Sequence, residues 1–232
     1  MVKSKLTIII PAYNEINTIQ EIINKVSDLK ILKQLIVVDD NSTDGTKEVI
    51  LKNKSKIDKI ILHNKNKGKG AAIKSAQPNV SGEYVIIQDA DLEYDPRDFY
   101  ESLKKIEEDK KKKIVDGSRV LNNKINKKAQ NFSHSLRIIG NLFLTKLSNI
   151  INNQNLTDAH TCYKLFESDL FKSIKLKEND FSFCPEITTK VSLLEEKITE
   201  MPINYNGRTY NEGKKIKASD GFKYLFFLYQ TL

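Results

Sequence analysis

Two rhythms of apolar and polar positions alternate along the first half of the chain. Short runs rich in β-branched residues recur at 6–10, 35–38, 60–63, 85–88 and 114–117. Each is continuous and bounded by turn-forming residues, the pattern of strands buried on both faces. Pro11 is expected to stop the first strand. Between the runs the spacing lengthens. Ile16, Ile19, Ile22, Ile23, Val26 and Leu29 repeat every 3.6 residues, which predicts an amphipathic helix. Further helices are predicted over 46–52, from Gly68 onward, and over 96–109. Strands alternating with helices predict an α/β fold, a mostly parallel sheet with helices on both faces.

The pattern loosens after Arg119. Residues 120–133 are polar and rich in Asn and Lys, as in a loop. An amphipathic helix is predicted over 135–152, a strand over 163–166 and a helix over 185–194. A last strand over 197–205 is interrupted by Pro202. Residues 206–219 are polar and basic, and 222–229 are strongly apolar and aromatic. There are no internal repeats and no Pro/Gly linker, so a single domain over 1–232 is expected.

Composition narrows the class. With 39% hydrophobic and 29% charged residues in a chain of 232, a full globular core is available. The net charge of +8 points to an anionic partner: nucleic acid, an acidic membrane surface or a phosphorylated substrate. Lysine supplies most of it. The arginines are few: Arg97, Arg119, Arg137 and Arg208. Because bidentate phosphate recognition favours arginine, each deserves locating. Charge is the sole argument for nucleic acid, and no recognition element accompanies it, so no nucleic-acid partner is expected. Cys162 and Cys184 have neither metal-ligand spacing nor a disulfide framework, which fits a reducing compartment. The apolar run before Pro11 is too short for a signal-peptide core, and no stretch approaches the ~20 apolar residues of a membrane span. A cytoplasmic location is expected, with peripheral contact on the cytoplasmic face of a membrane as a further option. In that case residues 222–229 would touch the bilayer, helped by Lys214, Lys215, Lys217 and Lys223; the blander reading makes them one face of a core helix.

The chemistry gathers where strands end, because α/β proteins bind ligands at the carboxyl edge of the sheet. The first strand leads into Pro11-Ala12-Tyr13-Asn14-Glu15, the second into Asp39-Asp40, and the fourth into Asp89-Ala90-Asp91-Leu92-Glu93. Alternation in an extended segment would put Asp89, Asp91 and Glu93 on one side. Such a carboxylate edge calls for a hard cation, Mg²⁺ or Mn²⁺, and for substrate phosphates. Taken alone, Asp-x-Asp is more often a solvated acidic turn. Tyr13 can stack on a base, and Asp40 or Glu15 can accept hydrogen bonds from base or ribose. Rival motifs fail. Asp40-x-Ser42-x-Asp44-Gly45 begins like a calcium loop, but the twelfth position is Leu51; Gly68-Lys69-Gly70 lacks P-loop spacing; and no G-x-G-x-x-G follows the first strand.

Five of these stretches in order carry a resemblance: Pro11 to Glu15, Val38 to Thr46, Asn66 to Ala72, Gln88 to Leu92 and Gly117 to Arg119. Together they resemble glycosyltransferase family 2, and within it the dolichyl- or polyprenyl-phosphate hexosyltransferases. The likeness is close over about 5–120. It continues more loosely through residues 157–166, Pro185-Glu186 and 207–216, and the run from Arg208 leans toward the glucosyl members.

The resemblance implies a GT-A (nucleotide-diphospho-sugar transferase) fold with a nucleotide-sugar-binding half, 1–119, and an acceptor-side half, 120–232. It implies a UDP- or GDP-hexose donor and a divalent cation. Pro11, Ala12, Tyr13, Glu15 and Asp40 would line the nucleotide pocket, with Lys69 close by. Asp89, Ala90 and Asp91 would meet the metal and diphosphate; relatives often carry Gln where Glu93 would be a third ligand. Arg119 would face the sugar or the acceptor phosphate, with Arg137 as a second candidate or a surface ion pair. The implied reaction is inverting hexosyl transfer to a polyprenyl or dolichyl phosphate. A phosphate acceptor is already ionised near neutral pH and needs no general base. Two other readings remain at this point. Transfer to a sugar hydroxyl of a glycan would need a base, for which Asp158 and Glu186 are candidates; structurally, Asp158 would instead cap a turn and Glu186 open a helix. A nucleotide-sugar-binding protein without turnover would be expected to have lost a metal ligand, yet Asp89 and Asp91 are both present.

Overall fold

The computed structural model describes residues 4–121 and 132–208, with side chains of the long helix described from Ile139 onward. The elements run β1 (Leu6–Ala12), α1 (Ile19–Asp28), β2 (Lys33–Asp39), α2 (Thr46–Lys52), β3 (Lys59–Leu62), α3 (Lys69–Ala76), β4 (Tyr84–Ile87) and α4 (Asp98–Glu107). They continue through β5 (Ile114–Ser118), α5 (Phe132–Asn152), β6 (Lys164–Glu167), α6 (Ser168–Ser173), α7 (Phe183–Leu193) and β7 (Thr199–Pro202). All seven strands join one sheet in the order β3-β2-β1-β4-β6-β5-β7. It is parallel except at β6, which lies antiparallel between β4 and β5.

Successive side chains of the central strands go to opposite faces. Ile8, Ile10, Val37 and Ile86 pack with α1 and α4 through Ile22, Ile23, Phe99 and Leu103. Ile9, Ile36, Val38, Val85 and Ile87 pack on the other face with α3, α6 and α7 through Ile73, Phe171, Phe183 and Ile187. Each strand therefore reads as an unbroken apolar run in sequence because both of its faces are covered.

Several expectations are corrected. Pro11 does not end the first strand, which runs on to Ala12. The Ala12 carbonyl accepts from Asp40 N–H on the β2 side, whereas the Ile9 carbonyl accepts from Gln88 N–H on the β4 side. By alternation, the missing Pro11 N–H points toward β4, whose pairing stops at Ile9, so no ladder bond is lost. The first helix starts at Ile19, and Ile16 is exposed outside it. The last strand stops at Pro202 instead of reaching 205, and α6 was not expected at all. Most of the 120–133 loop, and residues 209–232 with their basic and aromatic runs, lie outside the described residues.

The Gly-Lys-Gly stretch is explained by packing. Gly68 has φ +95°, and the backbone of residues 178–180, leading into α7, lies against both glycines. A Cβ on Gly70 would sit 2.5 Å from the Glu178 carbonyl oxygen. We expect Gly70→Ala to destabilise the fold by about 2–3 kcal/mol, because the obstacle is backbone and cannot rotate away. Urea denaturation checks this.

Candidate active site

The carboxyl edge of the parallel strands is assembled by its loops. After β1, Glu15 N–H donates to Thr46 Oγ1 (2.8 Å) and Ile16 N–H to Asp44 Oδ2 (3.0 Å). Asp44 also accepts from Thr46 N–H and Oγ1 at the start of α2. The calcium-loop look-alike is thus a clasp between the β1 and β2 loops. Pro11 and Tyr13 are half-buried at this edge, while Ala12 and Ala90 are buried in the core cluster.

Asp40 follows β2 and is almost fully buried. It accepts from His63 Nδ1 (2.6 Å) and Lys67 N–H (2.9 Å) on Oδ1, and from Gly68 N–H (2.7 Å) on Oδ2. Lys69 donates to Asp89 Oδ1 at 2.5 Å and stands over the rings of Phe181 and Phe183. Burial works against the Lys69 charge, but the Asp89 carboxylate outweighs it and holds the ammonium well above its ordinary pKa.

The acidic stretch after β4 is a turn, not the extended segment expected. Leu92 takes φ +61°, a left-handed conformation that a leucine rarely adopts. Gln88 holds the turn by donating to the carbonyls of Asp89 and Tyr94. The three carboxylates consequently diverge, Asp89 to Lys69, and Asp91 and Glu93 to Arg208. Arg208 donates to both oxygens of Glu15 (2.9 and 3.0 Å) and to Asp91 Oδ2 (3.1 Å), while its backbone N–H reaches Glu93 (2.7 Å). Among the described residues, no three His, Cys, Asp or Glu side chains converge closely enough to hold a metal ion. The donor set nevertheless fits one. Burial, then the charges of Asp89 and Glu93, push the Asp91 carboxyl up to about 7 even with Arg208 beside it. Three hard oxygen donors on one turn are the chemistry that suits Mg²⁺ or Mn²⁺.

A second cluster flanks the first. Arg119 Nε and Nη2 grip Asp158 at 2.6 and 2.7 Å, and the guanidinium lies 5.2 Å from the centre of the Tyr205 ring. The Tyr205 hydroxyl donates to Glu93 (2.8 Å), which ties the two clusters together. Asp158 also accepts from Arg119 N–H and Asn141 Nδ2. Its four acceptor positions are all used, and the side chain is fully buried. Burial alone would raise its pKa; the charge and hydrogen bonds of Arg119 outweigh that and hold it well below the carboxylate range. Glu186 lies in the first turn of α7, the position anticipated for it. It opens α7 and accepts from Lys177 N–H, Glu178 N–H and Lys190 Nζ. Arg137 lies in α5, its side chain outside the described residues. Cys162 and Cys184 are buried free thiols with sulfurs 3.3 Å apart.

Tyr205, His63 and Asn141 were not singled out by pattern, and Arg208 only as a scarce arginine at the head of the 208–216 run, with no role given to it. Scarcity was the usable signal for Arg208. His63 carried none, since its partner Asp40 lies 23 residues away.

His160, two residues from Asp158, is half-buried with both ring nitrogens shut off from solvent, and that desolvation lowers its pKa to about 4. The unfolded chain then binds more protons between pH 6.5 and 4, so stability falls as pH drops through that window. We expect a loss of roughly 2–3 kcal/mol from this group between pH 7.5 and 4.5. Urea titrations at the two pH values should show a smaller difference in His160→Gln.

Solved structures share this fold. Glucosyl-3-phosphoglycerate synthase from Mycobacterium tuberculosis in complex with UDP superposes with a TM-score of 0.71 at 14% identity, over 98% of this chain and 80% of that one. TarS residues 1–349 from S. aureus, in complex with UDP-GlcNAc, gives 0.62 at 17% identity, over 98% and 66%. The fold is therefore GT-A. The model of glycosyl transferase family 2 matches residues 7–175, and the chain belongs to that family; it is a glycosyltransferase. Among curated relatives, a dolichyl-phosphate β-glucosyltransferase of Trichomonas vaginalis is 30% identical, covering 94% of this chain and 70% of its own length. A dolichol-phosphate mannosyltransferase of Pyrococcus furiosus is 26% identical over 98% and 64%.

Proposed function

We propose that the enzyme transfers a hexose from a UDP- or GDP-sugar to a polyprenyl or dolichyl phosphate, with inversion at the anomeric carbon. An acceptor phosphate oxygen attacks that carbon as its bond to the donor β-phosphate breaks, and the nucleoside diphosphate leaves with the bonding pair. Asp89 and Asp91, with Glu93 as a further donor, would hold Mg²⁺ or Mn²⁺; the ion would neutralise the departing diphosphate. Tyr13, Glu15 and Asp40 would seat the nucleoside, and Lys69 would lie near the diphosphate. Arg119, rigidly aimed by Asp158 and Tyr205, would orient the acceptor phosphate, with Arg137 as a second cation.

The observation that carries this reading is the state of Asp158. With all its acceptor positions occupied, it is an anchor for Arg119 and a poor proton acceptor. An acceptor that is already an anion matches such a site better than a sugar hydroxyl does. The named activities of the Trichomonas and Pyrococcus relatives point the same way.

A lipid acceptor requires contact with a bilayer. No helix among the described residues is long and apolar enough to cross one. Peripheral contact is supported by α5, which exposes Ile139, Leu142, Phe143 and Ile150, with Lys146, along one side. The test is transfer of labelled hexose to polyprenyl phosphate, with the unphosphorylated polyprenol and a glycan as controls. Label only in the phosphate lipid is expected; label in the polyprenol or glycan instead would overturn the proposal.

A further inference from the structure

The bonds around Asp40 bear on which base the donor carries, an inference that rests on the reading of Asp40 as part of the nucleoside pocket. A carboxylate offers about four acceptor positions, two on each oxygen. On Asp40, Oδ1 is filled by His63 Nδ1–H and Lys67 N–H, and Oδ2 takes Gly68 N–H. A single position on Oδ2 is left among the described residues. His63 is fixed in turn. Its Nδ1 must carry the proton that Asp40 accepts, and its Nε2 pairs with Ser75 Oγ at 2.9 Å. Both His63 and Asp40 have side chains only 4% exposed, so neither bond is readily exchanged for water.

Bases ask different things of such a carboxylate. Guanine presents two adjacent donors, N1–H and N2–H, which seat on the two oxygens of one carboxylate. Here Oδ1 has no room for the second. Uracil presents one imide N3–H, which needs one acceptor. Cytosine presents a bare N3 acceptor, which a carboxylate repels. We infer that His63 is a specificity-determining residue: by filling Oδ1 of Asp40 it selects a donor base with a single imide N–H, the uracil class, and disfavours guanine.

Leaving the guanine N2–H unpaired, or breaking the His63 bond, corresponds to about a tenfold or larger loss of affinity. The test is calorimetric titration of UDP, GDP and CDP in the presence of Mn²⁺, using wild type, His63→Leu and His63→Gln. Wild type should bind UDP at least about tenfold tighter than GDP or CDP. His63→Leu frees Oδ1 and should narrow the UDP:GDP ratio mainly through tighter GDP binding. His63→Gln keeps an N–H donor and should restore the wild-type preference. GDP binding as tightly as UDP to wild type would overturn the inference while leaving the nucleotide site intact. An unchanged ratio in a folded His63→Leu protein would remove His63 as its cause. Binding of no nucleotide at all would overturn the underlying reading of the pocket, and the inference with it. If His63→Leu does not fold, the same titrations on His63→Ala decide the cause, and GDP binding to wild type as tightly as UDP still overturns the inference.

Discussion

Asp91→Asn is expected to lower kcat/KM by roughly 100- to 1000-fold while leaving the protein folded. Asparagine keeps an oxygen for Arg208, so the link from Glu15 to the acidic turn survives. What disappears is the charge. Asp91 sits where burial and two neighbouring carboxylates push its pKa up to about 7, an arrangement that costs the free protein stability. Its removal should therefore leave thermal stability in EDTA equal to wild type or higher, and abolish the stabilisation gained from Mn²⁺ with a nucleotide. Loss of activity together with loss of fold would instead make Asp91 a structural residue. Steady-state kinetics and a melting curve in EDTA separate the two.

The second large effect is expected at Arg119. Arg119→Met leaves Asp158 fully buried with only Asn141 and one backbone N–H to balance it. Breaking a buried pair from one side costs about 3–5 kcal/mol, because the remaining charge is stranded. Replacing both partners, as in Arg119→Met with Asp158→Leu, should recover most of that stability. Activity should not return, since the guanidinium itself is assigned to the acceptor phosphate. A double variant that is both stable and active would remove Arg119 from the reaction. Asp158→Asn offers the complementary check: turnover within about tenfold of wild type fits an anchor, whereas a much larger loss with the fold intact would suit a general base.

The parallel half of the sheet was legible because its strands are covered on both faces and appear as plain apolar runs. The GT-A assignment followed from the order of the motifs at their ends. The antiparallel insertion of β6 was not legible as such. Its first residue, Lys164, is fully buried against Asp116, and a lysine in sequence looks like surface. Nothing local announces that the two charges cancel in the interior, or that β6 lies between β4 and β5. The acidic stretch does follow β4 but was drawn as extended, because a leucine gives no warning that it will take a left-handed turn. Glu15 was assigned to the nucleotide pocket, but not its partner. Arg208 lies 193 residues further along, and only the folded sheet brings the two together. Residues whose roles come from such long-range pairing carry almost no local signature; those at strand ends do, because backbone direction already determines where they point.

The same geometry makes a specific demand on the free enzyme. Arg208 compensates Glu15, Asp91 and Glu93 in the free protein, so on the proposed reading a metal–nucleotide complex would have to compete with an internal guanidinium. Nucleotide binding should accordingly depend steeply on the divalent ion. The measurement that tests this most directly is the melting temperature of EDTA-treated protein with UDP and with GDP, each with and without Mn²⁺. A ligand that binds only the native state stabilises it by about 2.7 kcal/mol at a hundredfold excess over Kd. A clear rise with one nucleotide plus Mn²⁺, absent with either alone and absent in Asp91→Asn, is the expected result. An equal rise in EDTA, or no rise with either nucleotide at saturating concentration, would contradict the assignment of the acidic edge as a metal–diphosphate site.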